Sequence, residues 1–248
     1  MSKKKHADRK GDGIGKSKTP KLPKADVTRL PMASANMRIG LLGGSFNPPH
    51  AAHRAISLTA LKRLGLDRVW WLVTPGNPLK DAAKLDSLKS RVEAARDVAK
   101  HPRIAVTGFE AASGSAYTID LIAELKRRFP GVSFVWLMGA DNLAEFDRWR
   151  AWEEIFAAVP IAVLDRPGFR LKARAGKAAQ RFAAYHVDES DARGLARLEP
   201  PAWTILTHTL SQLSSTELRG KKSKKVKKAK RDKAKGKDNK PKKKAKRH

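Results

Sequence analysis

From Met37 onward, short continuous apolar runs alternate with stretches in which apolar residues recur every three to four positions. The runs are "RIGLLG" (38–43), "RVWWLVTP" (68–75), "RIAVTGFE" (103–110), "VSFVWLMG" (132–139), "PIAVLD" (160–165) and "WTILTHTL" (203–210). Unbroken apolar character over so few residues suits strands covered on both faces. Between them, "HRAISLTALKRLGL" (53–66) puts Ile56, Ala60, Leu61 and Leu64 on one helical face. Ser87 is placed to cap a helix reaching about Lys100, with Leu88, Val92 and Ala95 inward. Helical spacing returns over 118–129, 151–159 and 173–185. No internal repeat of fixed period interrupts the order. Strands alternating with helices predict an α/β fold: a Rossmann-like, doubly wound parallel sheet with helices on both faces.

That architecture locates the chemistry before any motif is considered. Ligands of open parallel sheets bind beyond the carboxyl ends of the strands. Residues 43–53, 74–80, 139–141 and 213–219 all follow predicted strands, so the unusual segments of the chain share one edge.

Composition changes the picture only at the ends. The 248 residues carry a net charge of +29, of which residues 1–37 supply +7 and residues 221–248 supply +15. Both flanks hold few large apolar residues, so they cannot bury enough surface to offset the entropy of ordering. The expected organisation is a disordered basic extension (1–36), one folded domain (37–220) and a disordered Lys-rich tail (221–248). The tail suits weak, salt-sensitive contact with RNA or another polyanion, but lacks aromatic residues for base stacking. The absence of cysteine excludes disulfides, thiolate metal sites and cysteine nucleophiles. No apolar run approaches the ~18 residues of a membrane helix, and no secretion signal opens the chain, so a cytoplasmic location is expected.

The first strand runs into "GGSFNPPHAAH" (43–53). Glycines there allow a ligand close to the backbone, and the helix that follows points unpaired N–H groups at it. His50 and His53, three residues apart, share one face and are able to donate to phosphate oxygens. The plainer alternative is a tight turn with capping or exposed histidines. A second glycine-rich stretch, "GDGIGKS" (11–17), has Lys10 where a Walker-type loop needs glycine, and no strand precedes it.

"GGSFNPPHAAH" resembles the G-G-[ST]-F-D-P-x-H-x-G-H signature of the nucleotidylyltransferase superfamily, and "LSSTELR" (213–219) resembles its second signature, I-S-S-T-x-[IL]-R. "TPGNPLK" (74–80), "AYTIDLIAEL" (116–125), "GADNLAEFDRWRAW" (139–152) and "DRPG" (165–168) narrow the resemblance to the bacterial nicotinate-nucleotide adenylyltransferase family. Asn47 stands where that family often has Asp, and Ala52 replaces the glycine between the histidines.

The resemblance implies transfer of AMP from ATP to nicotinate mononucleotide, with Mg²⁺ assisting and pyrophosphate leaving, as a step of NAD biosynthesis. It implies catalytic roles for His50, His53 and Arg219. Gly43, Gly44, Ser45, Phe46, Gly139, Asp141, Ser214, Ser215 and Thr216 are expected at ATP, and Asn47, Lys80, Tyr117, Thr118 and Trp149 at the mononucleotide. No residue is assigned as a metal ligand. Rival readings accompany several of these: Lys80 as a solvated loop lysine, Asp141 and Ser214 as helix caps, Trp152 as core. Arg91 is able to reach substrate or to form a surface pair, and is not assigned. Two other functions stay open at this point: a sister enzyme such as pantetheine-phosphate adenylyltransferase, and a nucleic-acid-binding protein acting through its basic flanks.

Overall fold

A computed structural model describes residues 26–76, 85–114, 117–165 and 168–207. Six strands lie where the apolar runs predict them: β1 (Arg38–Gly44), β2 (Arg68–Val73), β3 (Ile104–Thr107), β4 (Ser133–Gly139), β5 (Ile161–Leu164) and β6 (Trp203–Leu206). They form one sheet in the order β3-β2-β1-β4-β5-β6, and every neighbouring pair is parallel. Direction of winding reverses between β1 and β4, so a crevice opens at their carboxyl ends. This is the Rossmann-like, doubly wound sheet expected from the sequence.

The period-two alternation of strand side chains divides the core into two layers. Leu42, Val69, Trp71, Val73, Val135 and Leu137 face one side, against α1 (Ala51–Arg63) and α2 (Leu88–Ala99). Ile39, Leu41, Trp70, Leu72, Phe134, Trp136 and Met138 face the other, against α3 (Thr118–Arg128) and α5 (Trp152–Ala158). Ser87 caps α2 as expected, its side chain accepting the Ser90 N–H at 3.2 Å. At the opposite edge of the sheet, Arg38 pairs with Asp67 through two side-chain hydrogen bonds of 3.0 and 3.1 Å. That guanidinium holds the Asp67 carboxyl below its ordinary pKa.

Two local expectations are corrected. The helix expected over 173–185 is broken into α6 (Arg170–Ala175), α7 (Lys177–Arg181) and a 3-10 turn (Ala183–Tyr185). Gly176 makes the break with an extended ψ of 147°, and a β-carbon there would sit 3.3 Å from the Ala144 Cα. Its backbone therefore packs on the short α4 (Ala140–Leu143). The third strand ends at Thr107, because Phe109–Ala112 curl into a 3-10 turn whose Phe109 N–H is taken by Thr107 Oγ1. Residues 189–197, for which the sequence reading assigned no element, form a 3-10 helix that buries Ala192 and Leu195 at its three-residue spacing.

Residues 26–36, assigned by composition to the basic extension, lie on the domain. The Val27 carbonyl accepts from Gly108 N–H at 2.7 Å, and Thr107 Oγ1 donates to the Arg29 carbonyl at 2.9 Å. Leu30 and Ala33 pack against the core. The packed chain thus begins about ten residues before the expected boundary at 37.

Candidate active site

Gly43 and Gly44 are the last residues of β1, and the chain then turns sharply into α1. Phe46 takes a left-handed φ of +45°, a region that costs a bulky residue energy and needs compensation. The compensation is its ring, 1% exposed and stacked on Trp71 with centroids 5.0 Å apart and planes at 16°. Phe46, expected to line the nucleotide site, is therefore turned inward, and any contact made at this position falls to its backbone. Asn47 is likewise buried and precedes a cis proline, Pro48.

His50 sits at the start of α1 with extended backbone. Its N–H donates to Nδ1 of His53 at 3.2 Å, and its carbonyl accepts the His53 N–H at 3.0 Å. An Nδ1 that accepts must be unprotonated, so the neutral His53 ring carries its proton on Nε2 as a donor. The two imidazoles lie 3.9 Å apart, centroid to centroid. Behind them, Phe46 contacts the His53 ring at 4.7 Å, Trp71 Nε1 donates to Ser57 Oγ at 2.7 Å, and Ser57 Oγ donates to the His53 carbonyl at 2.9 Å. His53 is thus braced from its ring and from its backbone. Ala52 faces the other way: its methyl is buried in the α1 core, so the replacement of glycine adds nothing on the crevice side.

The segment after β2 meets this turn through the Thr74 N–H, which donates to the Gly44 carbonyl at 3.0 Å, and through one side chain. Arg91, on the buried face of α2 and 2% exposed, donates to the carbonyls of Ser45 (2.8 Å), Thr74 (2.7 Å), Pro75 (3.1 Å) and Asp86 (2.8 Å). Glu110, also buried, receives Thr74 Oγ1 at 2.9 Å. Burial raises the Glu110 carboxyl to a pKa of about 7, against the lowering effects of the Thr74 hydrogen bond and of Arg91.

On the β4 side, Gly139 ends the strand and precedes α4, with Asp141 in the first turn of that helix. Gly139 holds the capping position, so the rival reading of Asp141 as a helix cap does not apply. Trp149 is half-buried, edge-on to Trp136 at 6.4 Å and tilted against Phe146 at 5.0 Å. Trp152 packs edge-on to Phe156 and Phe182, as its core assignment requires. Tyr117 precedes α3 and Thr118 opens it; the Arg150 guanidinium lies 4.3 Å over the Tyr117 ring.

The structure gathers the strand ends carrying Gly43 through His53 and Gly139 with Asp141 on the β1 and β4 side of the crevice. Lys80, Ser214, Ser215, Thr216 and Arg219 lie outside the described residues. Two residues that the sequence reading did not assign, Arg91 and Glu110, prove to be tied to the site. Arg91 had a visible signal: a lone cation on the helical face shared by Leu88, Val92 and Ala95. Glu110 had none, since its burial depends on where β3 ends.

Residues 41–221 match the cytidylyltransferase-like family. The chain is 58% identical over 183 residues to a probable nicotinate-nucleotide adenylyltransferase of Methylorubrum extorquens, covering 74% of this chain and 99% of the relative. A relative of the same name from a Bradyrhizobium species is 59% identical over 183 residues, 74% of this chain and 95% of its own. The fold is similar to that of Plasmodium falciparum nicotinic acid mononucleotide adenylyltransferase complexed with NaAD, at a TM-score of 0.56 and 19% identity, covering 74% and 83% of the two chains. With the glycine–histidine turn at the point where winding reverses, this chain belongs to the cytidylyltransferase-like family, among its nicotinate-nucleotide adenylyltransferases.

Proposed function

We propose that the chain is a nicotinate mononucleotide adenylyltransferase of NAD biosynthesis. A phosphate oxygen of the mononucleotide attacks the α-phosphorus of ATP; the bond to the β-phosphate oxygen breaks, giving nicotinate adenine dinucleotide and pyrophosphate. Identity of more than half over nearly the whole length of relatives with that name carries the reading. It also favours this activity over the pantetheine-phosphate and nucleic-acid alternatives.

The attacking group is already an anion, so the site needs no base. It needs to bring two anions together and hold the charge that grows between them. In this reading the backbone of Gly43, Gly44 and Ser45 and the first-turn amides of α1 meet the ATP phosphates. His53 offers its Nε2–H, and His50 its ring, to the oxygens of the reacting phosphorus. Gly139 and Asp141 hold the adenosine, Asp141 at the ribose. Asn47, Tyr117, Thr118 and Trp149 border the mononucleotide, with Lys80 at its phosphate. Ser214, Ser215 and Thr216 hold ATP phosphates, and Arg219 pairs with the departing pyrophosphate.

Among the described residues no three His, Asp or Glu side chains converge as a metal cage. Mg²⁺, as the counter-ion of the triphosphate, would supply charge neutralisation there. Among the described residues no helix is long and apolar enough to cross a membrane; a cytoplasmic site of action, and weak contact of the Lys-rich tail with polyanions, belong to the proposal. The test is a substrate panel: ATP and Mg²⁺ with nicotinate mononucleotide, nicotinamide mononucleotide or phosphopantetheine. Pyrophosphate and dinucleotide are expected from the first. No release above background with it would sink the proposal.

A further inference from the structure

Arg91 is the one buried lysine or arginine among the described residues, and it sits on a helical face that is otherwise apolar. Packing alone would be served there by Leu or Met, without the cost of removing a guanidinium from water. The hydrogen bonds explain what the cation does. Four of its five N–H donors are spent on backbone carbonyls, and those carbonyls come from three separate segments: Ser45 after β1, Thr74 and Pro75 after β2, and Asp86 before α2. In sequence, Thr74–Pro75 and Asp86 flank the stretch containing Lys80. The Thr74 N–H also donates to the Gly44 carbonyl at 3.0 Å, so the guanidinium adds to the sheet's own hold on the first stem and ties the second, at Asp86, to the turn that carries the histidines. Asp86 and Glu110 are the acidic groups that face it; burial draws the guanidinium pKa down and both carboxylates oppose this.

We infer that Arg91 is a positioning residue, setting the separation between the phosphate-facing turn after β1 and the segment after β2, and with it the alignment of the two substrates. The inference rests on the reaction proposed above. Arg91 touches neither substrate in this account; it acts through the carbonyls of Ser45, Thr74, Pro75 and Asp86. The geometry requires the guanidinium fork. A lysine ammonium presents its donors from one point and does not span four carbonyls on three segments.

The experiment compares full-length wild type with Arg91→Lys and Arg91→Gln, checked for folding by circular dichroism. Two quantities are read: ATP affinity by equilibrium dialysis, which also counts binding-competent molecules, and kcat per competent molecule with both substrates saturating. Misalignment of reacting groups by about an ångström costs on the order of 100-fold in rate. The expected result is ATP affinity within ~3-fold of wild type and kcat lower by ~30-fold or more in both variants. A residue that served only stability would lower the melting temperature and the competent fraction, yet leave kcat per competent molecule unchanged. That outcome, a fall in kcat of less than ~10-fold, or a rise in KM alone overturns the inference. So does failure of both variants to fold, which would assign Arg91 to the fold alone. A wild-type chain that forms no dinucleotide sinks the proposed function itself, and the inference with it.

Discussion

The Trp136 indole occupies the space that a side chain at Gly43 would need: a β-carbon built on Gly43 would lie 2.7 Å from Cη2 and 3.0 Å from Cζ2 of that ring. The first glycine of the signature is therefore required by a neighbouring strand, quite apart from any ligand. Trp136 is buried and is itself packed against Trp149, so the ring has little room to retreat. Gly43→Ala is expected to destabilise the protein by about 1–3 kcal/mol, the usual cost of overpacking. Urea denaturation checks this. Unchanged stability with weakened ATP binding would show that only the ligand demands glycine there.

His53→Ala is expected to lower kcat by ~100-fold or more, the scale of one lost donor at a developing charge. The Nε2–H assigned to the neutral ring suggests a partial substitute. His53→Gln retains a side-chain N–H donor and should recover part of the loss. Steady-state rates at saturating ATP and nicotinate mononucleotide decide both points. A near-wild-type rate for His53→Ala would return the histidine to a capping role.

Glu110 makes stability depend on pH in a direction opposite to that of an ion-paired carboxylate. Its pKa is about 7 in the fold, raised from 4.5 chiefly by burial. The Thr74 hydroxyl, which donates to Glu110 Oε1 at 2.9 Å, favours the charged form but offsets only part of the effect of burial. Between the two pKa values the folded chain holds a proton that the unfolded chain has lost. This contribution is whole below the unfolded value, is lost as pH rises to about 7, and then levels off. Its size is on the order of 3 kcal/mol. Glu110→Gln keeps the neutral state at every pH. The difference between wild type and variant, measured by denaturation from pH 4 to 8, should grow in the variant's favour toward pH 8.

Trp149 packs on Phe146 and Trp136 while part of its surface stays open. Trp149→Ala should raise KM for nicotinate mononucleotide by ~10-fold and leave KM for ATP within ~2-fold. Equal effects on both substrates would place this tryptophan in the core only. Trp149→Phe, which keeps an aromatic face, should behave nearly as wild type.

The two basic flanks call for different cuts. Removing residues 1–25 and 221–248 should leave turnover at physiological salt unchanged and reduce retention on a polyanion column. Extending the first cut to residue 36 should lower the melting temperature, because it removes the acceptors of Gly108 N–H and Thr107 Oγ1 and the packing of Leu30. Equal stability of the two truncated proteins would show that residues 26–36 contribute nothing.

What the sequence made legible was local. Strands buried on both faces announce themselves as apolar runs, and all six appear at their expected places, β3 shorter than its run. The glycine–histidine turn was readable because its chemistry lies within eleven consecutive residues. What escaped depends on distant partners. Gly176 breaks a helix because another backbone packs on it, which no periodicity records. Phe46 sits in a signature and yet faces inward, since Trp71 offers it a stacking surface. Arg91 finds its carbonyls up to 46 positions away, and the Glu110 carboxyl is pushed up only because the fold encloses it.

The pairing of β1 with β4 also orders events in time. Leu41 meets Trp136 across about 95 residues of intervening chain, whereas β1 and β2 are joined by a single helical crossover. During synthesis β1, β2 and β3 with their helices can assemble first, and the β1 edge then waits, apolar and unpaired, until residue 139 has emerged. Gly43 has no ring beside it until then. The crevice at the carboxyl ends of β1 and β4 is consequently the last part of this sheet's centre to be built, and a nascent chain stalled before β4 would display a sticky strand edge where the finished protein pairs β1 with β4.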